Sequence, residues 1–147
     1  MKSEPMTYSI EDLARDGRTV WDGVRNYLAR NYLRDSVKDG DGVLFYHSSA
    51  KPRAVVGTAR VVRAGFPDPT QFERESPYFD PGSSLRAPRW FAVELAFDSK
   101  FARPVTPEQM RETPALADML LLRKAARLSI QPVSEEQWRA IIALGRE

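Results

Sequence analysis

The sequence predicts an α+β fold with a mixed, strongly curved β-sheet that forms a small barrel flanked by helices. Residues 43–47, 54–63 and 90–97 are rich in valine and phenylalanine and read as strands. Residues 10–16 and 135–145 carry helix-start signals and helical spacing at the two ends of the chain. The apolar residues of 43–47 do not alternate with polar ones, so we expect both faces of that strand to be covered.

Length and composition predict a single domain over residues 1–147. The chain lacks an apolar run long enough to cross a bilayer and lacks a secretory signal pattern, so we expect no membrane association and a cytoplasmic location. Zero cysteines exclude disulfides and thiolate zinc sites, and a single histidine excludes a histidine-rich metal site. We therefore expect no cofactor. The net charge is only +2, but most of the basic residues are arginine, which is compatible with a nucleic-acid partner.

Two capping boxes define the helices at either end of the chain. Ser9 and Asp12 predict a helix over 10–16 that stops at Gly17. Ser134 and Gln137 predict a final helix that ends near residue 145. Trp138 lies on the apolar face of this helix, so we assign it to the core and exclude it from any site.

The most informative segment is 21–31, which reads as a strand end, a tight turn and a helix start. Residues 19–21 form a brief strand, and Gly23 lets the backbone turn at little steric cost. Asn26 is a good N-cap for a helix that runs to about Arg34. The simplest interpretation is a core aromatic, a turn and a capped helix, but a polar planar ligand also suits this arrangement.

The strands that follow raise the question of which aromatic side chains are available to a ligand. Phe45 and Tyr46 must point to opposite faces, so one can line a pocket while the other packs in the core. Gly57, within the strand 54–63, predicts a bulge or a close backbone approach. Trp90 lies opposite the apolar face of the strand 90–97, where it is either a stacking platform or the cover of a second apolar layer.

The remaining segments are a long loop and two shorter predicted strands. Residues 65–89 are punctuated by proline and contain four aromatic residues, and we expect them to wrap the body and to rim a site. Residues 101–105 and 127–131 are predicted as strands, and Thr106 and Thr113 each precede a proline that starts a helical turn.

The candidate functional groups favour binding over catalysis. Trp21, Tyr46 and Trp90 offer ring faces, and arginines such as Arg25 and Arg127 offer cationic contacts. This mixture suits the capture of one unstacked base, with arginines on the phosphates. His47 could act as a lone general base, but neighbouring Ser48 points to the opposite face, and a histidine hydrogen-bonded at a strand end is the favoured interpretation.

Several motifs together resemble one known family. They are Lys2–Pro5, Trp21–Asn26, Ala29–Asn31, Leu44–Ser48, Val56–Gly57, Pro67–Thr70, Arg89–Trp90 and Arg127–Pro132. Each is weak alone, but in this order over nearly the whole chain they resemble an EVE domain of the PUA-like superfamily. The resemblance implies a PUA-like fold, binding of nucleic acid that carries a modified base such as methylated or hydroxymethylated cytosine, and no catalysis.

The resemblance also implies which side chains form the pocket. Carried onto this sequence, the pocket residues are Ser3, Trp21, Asn26, Tyr46, His47 and Ser48, with Trp90, Arg127 and Ser129 beside them. Members of this family usually carry a short apolar strand before the Lys-Ser-Glu-Pro motif, whereas this chain starts at Met1. Either the recorded start is a few residues late or the strand is absent, and in the latter case a sheet edge is left unpaired and Lys2 and Ser3 are mobile.

The sequence therefore predicts a monomeric module that binds DNA or RNA through a modified base flipped into an aromatic and polar pocket. Two alternatives stay open. One is an enzyme that processes RNA or nucleotides with His47 as general base. The other is a protein-interaction domain that uses the long loop as its contact surface.

Overall fold

The five strands of the sheet and the helices around them account for most of the chain. The structure, a computed structural model, describes residues 1–123 and 128–146. The strands are β1 (Lys2–Ser3), β2 (Arg18–Trp21), β3 (Gly42–His47), β4 (Ala54–Pro67) and β5 (Phe91–Val105). The α-helices are α1 (Ile10–Asp16), α2 (Tyr27–Asn31), α3 (Pro107–Arg111) and α4 (Glu135–Arg146). A π-helix covers Tyr32–Ser36, and 3₁₀-helices cover Pro69–Phe72, Pro114–Leu116 and Leu120–Leu122.

The sheet is mixed, and its strand order is β1-β3-β4-β5-β2. β1 runs parallel to β3, and the other neighbouring pairs are antiparallel. The predicted α+β class is confirmed, but within the described residues the sheet stays open because β1 and β2 are its two edges. Lys2 and Ser3 pair with Tyr46 and His47, so the expectation that these two residues are mobile is wrong.

β4 and β5 are longer than the sequence predicts, and they form the centre of the sheet. β5 includes residues 101–105, which were expected to form a separate strand. The register between the two strands shifts at four places, and such bulges bend a sheet. A Cβ at Gly57 would overlap the carbonyl oxygen of Ser99, which confirms the close backbone approach predicted there.

The helix termini follow the capping signals closely. Ser9 and Asp12 form the reciprocal capping box at the start of α1, and Gly17 follows its end. Asn26 caps α2, but the α-helix ends at Asn31 and continues as the π-helix instead of reaching Arg34 as α-helix. α4 ends at Arg146, one residue beyond the predicted glycine. None of the helices in the described part of the chain is long and apolar enough to cross a membrane.

Two hydrophobic cores lie on opposite faces of β3. Phe45 belongs to the first core with Ile10 and Leu13 of α1, and Trp21 packs against it. Tyr46 belongs to the second core with Ile141 of α4. Both faces of β3 are therefore covered, as its uninterrupted apolar pattern predicts.

The segment before α4 differs from the sequence prediction. Residues 128–131 are not in a strand, and Arg127 lies outside the described residues. Leu128 and Ile130 nevertheless face the first core, as the alternation predicts.

Candidate functional site

A groove of about 640 Å³ lies between the two edges of the open sheet. Residues of β1 form one side, and residues of β2 with the turn after it form the other. Its lining consists of Lys2, Ser3, Glu4, Thr7, Tyr8, Thr19, Val20, Trp21, Asp22, Gly23, Val24, Arg25, Asn26, Tyr78 and Ser129. Of the ten residues predicted to form a site, the groove therefore contains Ser3, Trp21, Arg25, Asn26 and Ser129.

Trp21 is a partly buried wall of this groove. Its indole meets the ring of Phe45 edge-on, with centroids 5.8 Å apart and planes at 86°. Phe45 is fully buried, so it holds the indole in place from below. The partial exposure of Trp21 leaves part of the ring accessible from the groove.

A buried carboxylate organises the turn that follows Trp21. Asp68 is fully buried and accepts hydrogen bonds from the backbone N–H of Gly23 (2.8 Å), from Arg25 Nη1 (3.0 Å) and from the N–H and hydroxyl of Thr70 (2.8 and 2.6 Å). Burial alone would raise the pKa of Asp68, but hydrogen bonds from Thr70, Gly23 and Arg25 outweigh it and lower the pKa. Asp68 is therefore a structural anion that fixes the groove wall.

Arg25 is committed to the same structural network. Its Nε and Nη2 donate to the carbonyl of Tyr78, Nη1 donates to Val24 O and Asp68, and Nη2 also donates to Thr70 Oγ1. A guanidinium has five N–H donors, and these five bonds use all of them. These donors tie the turn to the loop, so the contact predicted between Arg25 and a ligand phosphate has no unshared N–H donor to use.

Tyr78 forms the outer rim of the groove, as expected for the long loop. Its ring lies on Gly23, where a Cβ would come within 2.7 Å of the phenol ring. Gly23 also has φ = 77°, a conformation that disfavours every side chain. Glycine at position 23 thus permits both the turn and the approach of Tyr78, whose side chain is 42% exposed.

Asp22 and Asn26 present polar groups to the groove from either end of this turn. The Asn26 side-chain oxygen caps α2 by accepting from Ala29 N–H at 3.0 Å, which leaves the side-chain NH₂ group to donate to a ligand. Among the described residues, no other residue donates a hydrogen bond to the Asp22 carboxylate. Burial and the nearby charge of Asp68 raise the pKa of Asp22.

The three predicted serines take part mainly in bonds that hold β1 in place. The Ser3 hydroxyl donates to the carbonyl of Tyr8, and the Ser3 carbonyl accepts from Ser48 N–H at 2.9 Å. The carbonyl of Ser129 accepts from Lys2 N–H at 2.8 Å. Ser3 and Ser129 line the groove, whereas Ser48 does not.

Tyr46 and His47 lie outside the groove, so their predicted convergence with Trp21 is wrong. Tyr46 is 7% exposed and packs in the second core, because the covering of both faces of β3 leaves neither neighbour free. His47 is buried, and its Nε2 accepts the first N–H of α1, from Ile10, at 3.0 Å. Burial lowers the pKa of His47. This is the hydrogen-bonded histidine at a strand end that the sequence favours.

Trp90 is buried and is not an open stacking platform. It is 6% exposed, its ring stacks on Tyr27 with centroids 4.8 Å apart, and its indole N–H donates to Asp80 at 2.7 Å. Its backbone N–H and carbonyl both bind the side chain of buried Gln71, which ties the two ends of the long loop together.

Sequence reasoning missed Asp68, Gln71 and Tyr78 as residues that shape the site. Asp68 falls in the Pro67–Thr70 motif quoted for the family resemblance, and this motif was the one available signal. Asp68 and Arg25 are 43 residues apart in the chain, so no local pattern joins them. Tyr78 lies in a loop without periodicity.

Comparison with known proteins identifies the family. The model of the EVE domain matches residues 1–144. Mouse thymocyte nuclear protein 1 is 38% identical over 98% of this chain and 71% of its own length, and the human protein of that name is 35% identical. A crystal structure from Pseudomonas putida has a TM-score of 0.92 at 44% identity and covers 98% of this chain and 96% of its own. The human THYN1 protein in complex with 5-methylcytosine-containing DNA has a TM-score of 0.90 at 35% identity and covers 100% of this chain and 96% of its own.

These relatives correct one expectation and confirm another. The expected cytoplasmic location is contradicted, since curated relatives from mouse, human and rat are named as nuclear proteins. The resemblance drawn from the scattered motifs is confirmed over nearly the whole chain. The chain belongs to the EVE domain family.

Proposed function

We propose that this chain binds DNA or RNA by holding one modified base, of the methylated cytosine class, in the groove between β1 and β2. The observation that carries the proposal is the groove itself, where an indole wall stands beside exposed apolar surface and uncommitted polar groups. We further propose that the chain acts as a monomer and without catalysis.

The apolar part of the groove suits a planar heterocycle. Val20 is 41% exposed and Tyr78 is 42% exposed, and both line the groove beside Trp21. Exposed apolar side chains gathered in one concave site favour a ligand that covers them. Its volume of about 640 Å³ falls in the range typical of small-molecule sites, roughly 300–1,000 Å³.

The polar part of the groove suits the edge of a base. Asp22 offers acceptors, and the amide of Asn26 offers donors. β2 is an edge strand, so alternate backbone groups along it point away from β5 and add further hydrogen-bonding capacity. The likeness to the human protein bound to 5-methylcytosine-containing DNA supports a modified cytosine as the ligand class.

The alternative function, an enzyme with His47 as general base, has less support. His47 does not line the groove, and its Nε2 already accepts the Ile10 N–H. A general base must lie within hydrogen-bond reach of the proton that it removes. The protein-interaction alternative gains no specific observation, because the long loop is held to the body by Asp68, Gln71 and Arg25.

The proposal is tested by measuring the affinity of single-stranded oligonucleotides that carry one central 5-methylcytosine or one cytosine. Stacking on an aromatic residue is worth about 1–3 kcal/mol, so Trp21→Leu should weaken binding of the methylated strand by about 5- to 150-fold. Leucine retains apolar packing against Phe45 and removes the ring face. Fluorescence anisotropy at fixed salt gives the dissociation constants.

Tyr27→Ala is the matched control because Tyr27 is 54% exposed and does not line the groove. Its affinity should stay close to that of the parent protein, and both variants should melt as folded proteins. Equal binding of methylated and unmethylated strands by the parent would refute modified-base recognition. Equal losses in the Trp21 and Tyr27 variants would refute the groove as the site.

A further inference from the structure

A surface that contacts only the 5-methyl group of a base cannot distinguish 5-methylcytosine from thymine. Thymine carries the same C5-methyl group as 5-methylcytosine, and the two bases differ at position 4 and at N3. Cytosine has an N4 amino donor at position 4, whereas thymine has an O4 acceptor. A site that reads 5-methylcytosine therefore needs a protein group that distinguishes a donor from an acceptor at position 4.

Asp22 has the position and the chemistry for that role. It lines the groove between Trp21 and Gly23, and the hydrogen bond that its carboxylate accepts comes from its own backbone N–H. A carboxylate is an acceptor only, so it favours an amino group and repels a carbonyl oxygen. Burial and the charge of Asp68 raise the pKa of Asp22, and they outweigh the opposing effects of the Arg25 charge and of a hydrogen bond from the Asp22 backbone.

The other acid beside this turn cannot take the role. Asp68 is fully buried and accepts four hydrogen bonds from Gly23, Arg25 and Thr70. The two carboxylates therefore differ in role: Asp68 holds the turn in place, and Asp22 lines the groove.

Asn26 offers hydrogen-bond donors to the same edge of the base. Its side-chain oxygen caps α2, and its side-chain NH₂ group offers N–H donors that match the N3 and O2 acceptors of cytosine. Asp22 and Asn26 together offer an acceptor and a donor. Thymine has an acceptor at position 4 and a donor at N3, so it opposes this order.

We infer that Asp22 is the residue by which the groove selects cytosine bases over thymine, because it accepts a hydrogen bond from the N4 amino group. This inference rests on the proposed function. Asn26 donates to the ring acceptors on the same edge. In this arrangement Trp21 and its apolar neighbours contact the ring and its 5-substituent, and Asp22 binds the group at position 4.

The test uses three single-stranded oligonucleotides that are identical except for one central base: 5-methylcytosine, cytosine or thymine. The affinity ratio of 5-methylcytosine to cytosine measures recognition of the methyl group. The ratio of 5-methylcytosine to thymine measures recognition of position 4. The parent protein should prefer 5-methylcytosine to thymine by about tenfold or more.

Asp22→Asn is the informative variant, because an amide can turn its N–H₂ toward O4 of thymine. We expect its ratio of 5-methylcytosine to thymine to fall to about twofold or less, with the ratio to cytosine unchanged. Asp118→Asn removes the same charge from an exposed position outside the groove and should behave as the parent. Thermal melting of both variants verifies folding.

Each contrary outcome has a distinct meaning. An unchanged ratio of 5-methylcytosine to thymine in Asp22→Asn would overturn the inference. So would an equal fall of both ratios, since that would make Asp22 a residue that shapes the groove as a whole. A parent protein that prefers 5-methylcytosine to cytosine but binds thymine equally well would refute this inference alone, whereas one that binds none of the strands would refute the proposed function as well.

Discussion

Replacing Asp68 with asparagine should destabilise the protein severely, although Asp68 itself does not line the groove. The substitution preserves shape but removes the charge that pairs with Arg25, whose side chain is only 22% exposed. It also turns an amide N–H₂ toward groups that are themselves donors. Breaking one partner of a buried ion pair typically costs about 3–5 kcal/mol, which is a large part of a total stability of about 5–15 kcal/mol.

Urea unfolding measures this loss. With an m-value of about 2 kcal/mol/M, the midpoint should fall by about 1.5–2.5 M at unchanged m. The matched control is Asp35→Asn, because Arg34 and Asp35 also form an Arg–Asp pair, at 2.7 Å, but with 40% and 56% exposed side chains. The midpoint of this control should stay within the error of the assay, since exposed pairs contribute little.

The pH dependence gives a second readout of the same interaction. The pKa of Asp68 is lowered in the folded protein, so its stabilisation is fully present above the ordinary value of about 3.9 and is lost as the pH falls through the folded value. The difference in stability between the parent and Asp68→Asn should therefore shrink in acid. A midpoint shift no larger than that of Asp35→Asn would refute the view that Asp68 holds the turn together.

Three further outcomes follow from the geometry. Gly23→Ala should weaken ligand binding and lower the urea midpoint, because a Cβ there is strained at φ = 77° and displaces Tyr78; unchanged binding would show that the rim tolerates movement. Gly57→Ala should destabilise by about 1–3 kcal/mol in the same assay, because the added methyl group overlaps the backbone of β5. Because the pKa of His47 is lowered in the folded protein, its contribution to stability is complete above about pH 6.5 and falls as the pH drops below that value. His47→Gln should therefore flatten the profile of urea midpoints between about pH 7.5 and about pH 5. An equally steep profile in this variant would exclude His47 as the source of the pH dependence.

Local signals made the secondary structure largely predictable. The capping residues Ser9 and Asn26 each bond a residue only three positions later, so a short stretch of sequence is enough to predict the helix start. The strand boundaries were less predictable, because β5 continues through residues 98–100, where the polar sequence reads as a break. Its pairing with β4 supplies a tertiary reason for an extended backbone that local propensity does not.

The site was only partly predictable, because its side chains meet through tertiary contacts. Trp21 and Asn26 were found because one short motif contains both. Tyr46 was misplaced because the sequence shows that it opposes Phe45, but not that α4 covers its face. The structural bonds of Arg25 were not predictable, because its partners, Asp68 and the carbonyl of Tyr78, lie more than 40 residues away.

The separation of the two cores has a practical consequence for measuring binding. α4 packs on the second core, whereas the groove adjoins the first, so a probe on the outer side of α4 should report on the molecule without disturbing the ligand. Ala143 is exposed on that helix, and the chain contains no natural thiol. Ala143→Cys would therefore give one specific attachment point for a fluorophore or a surface tether.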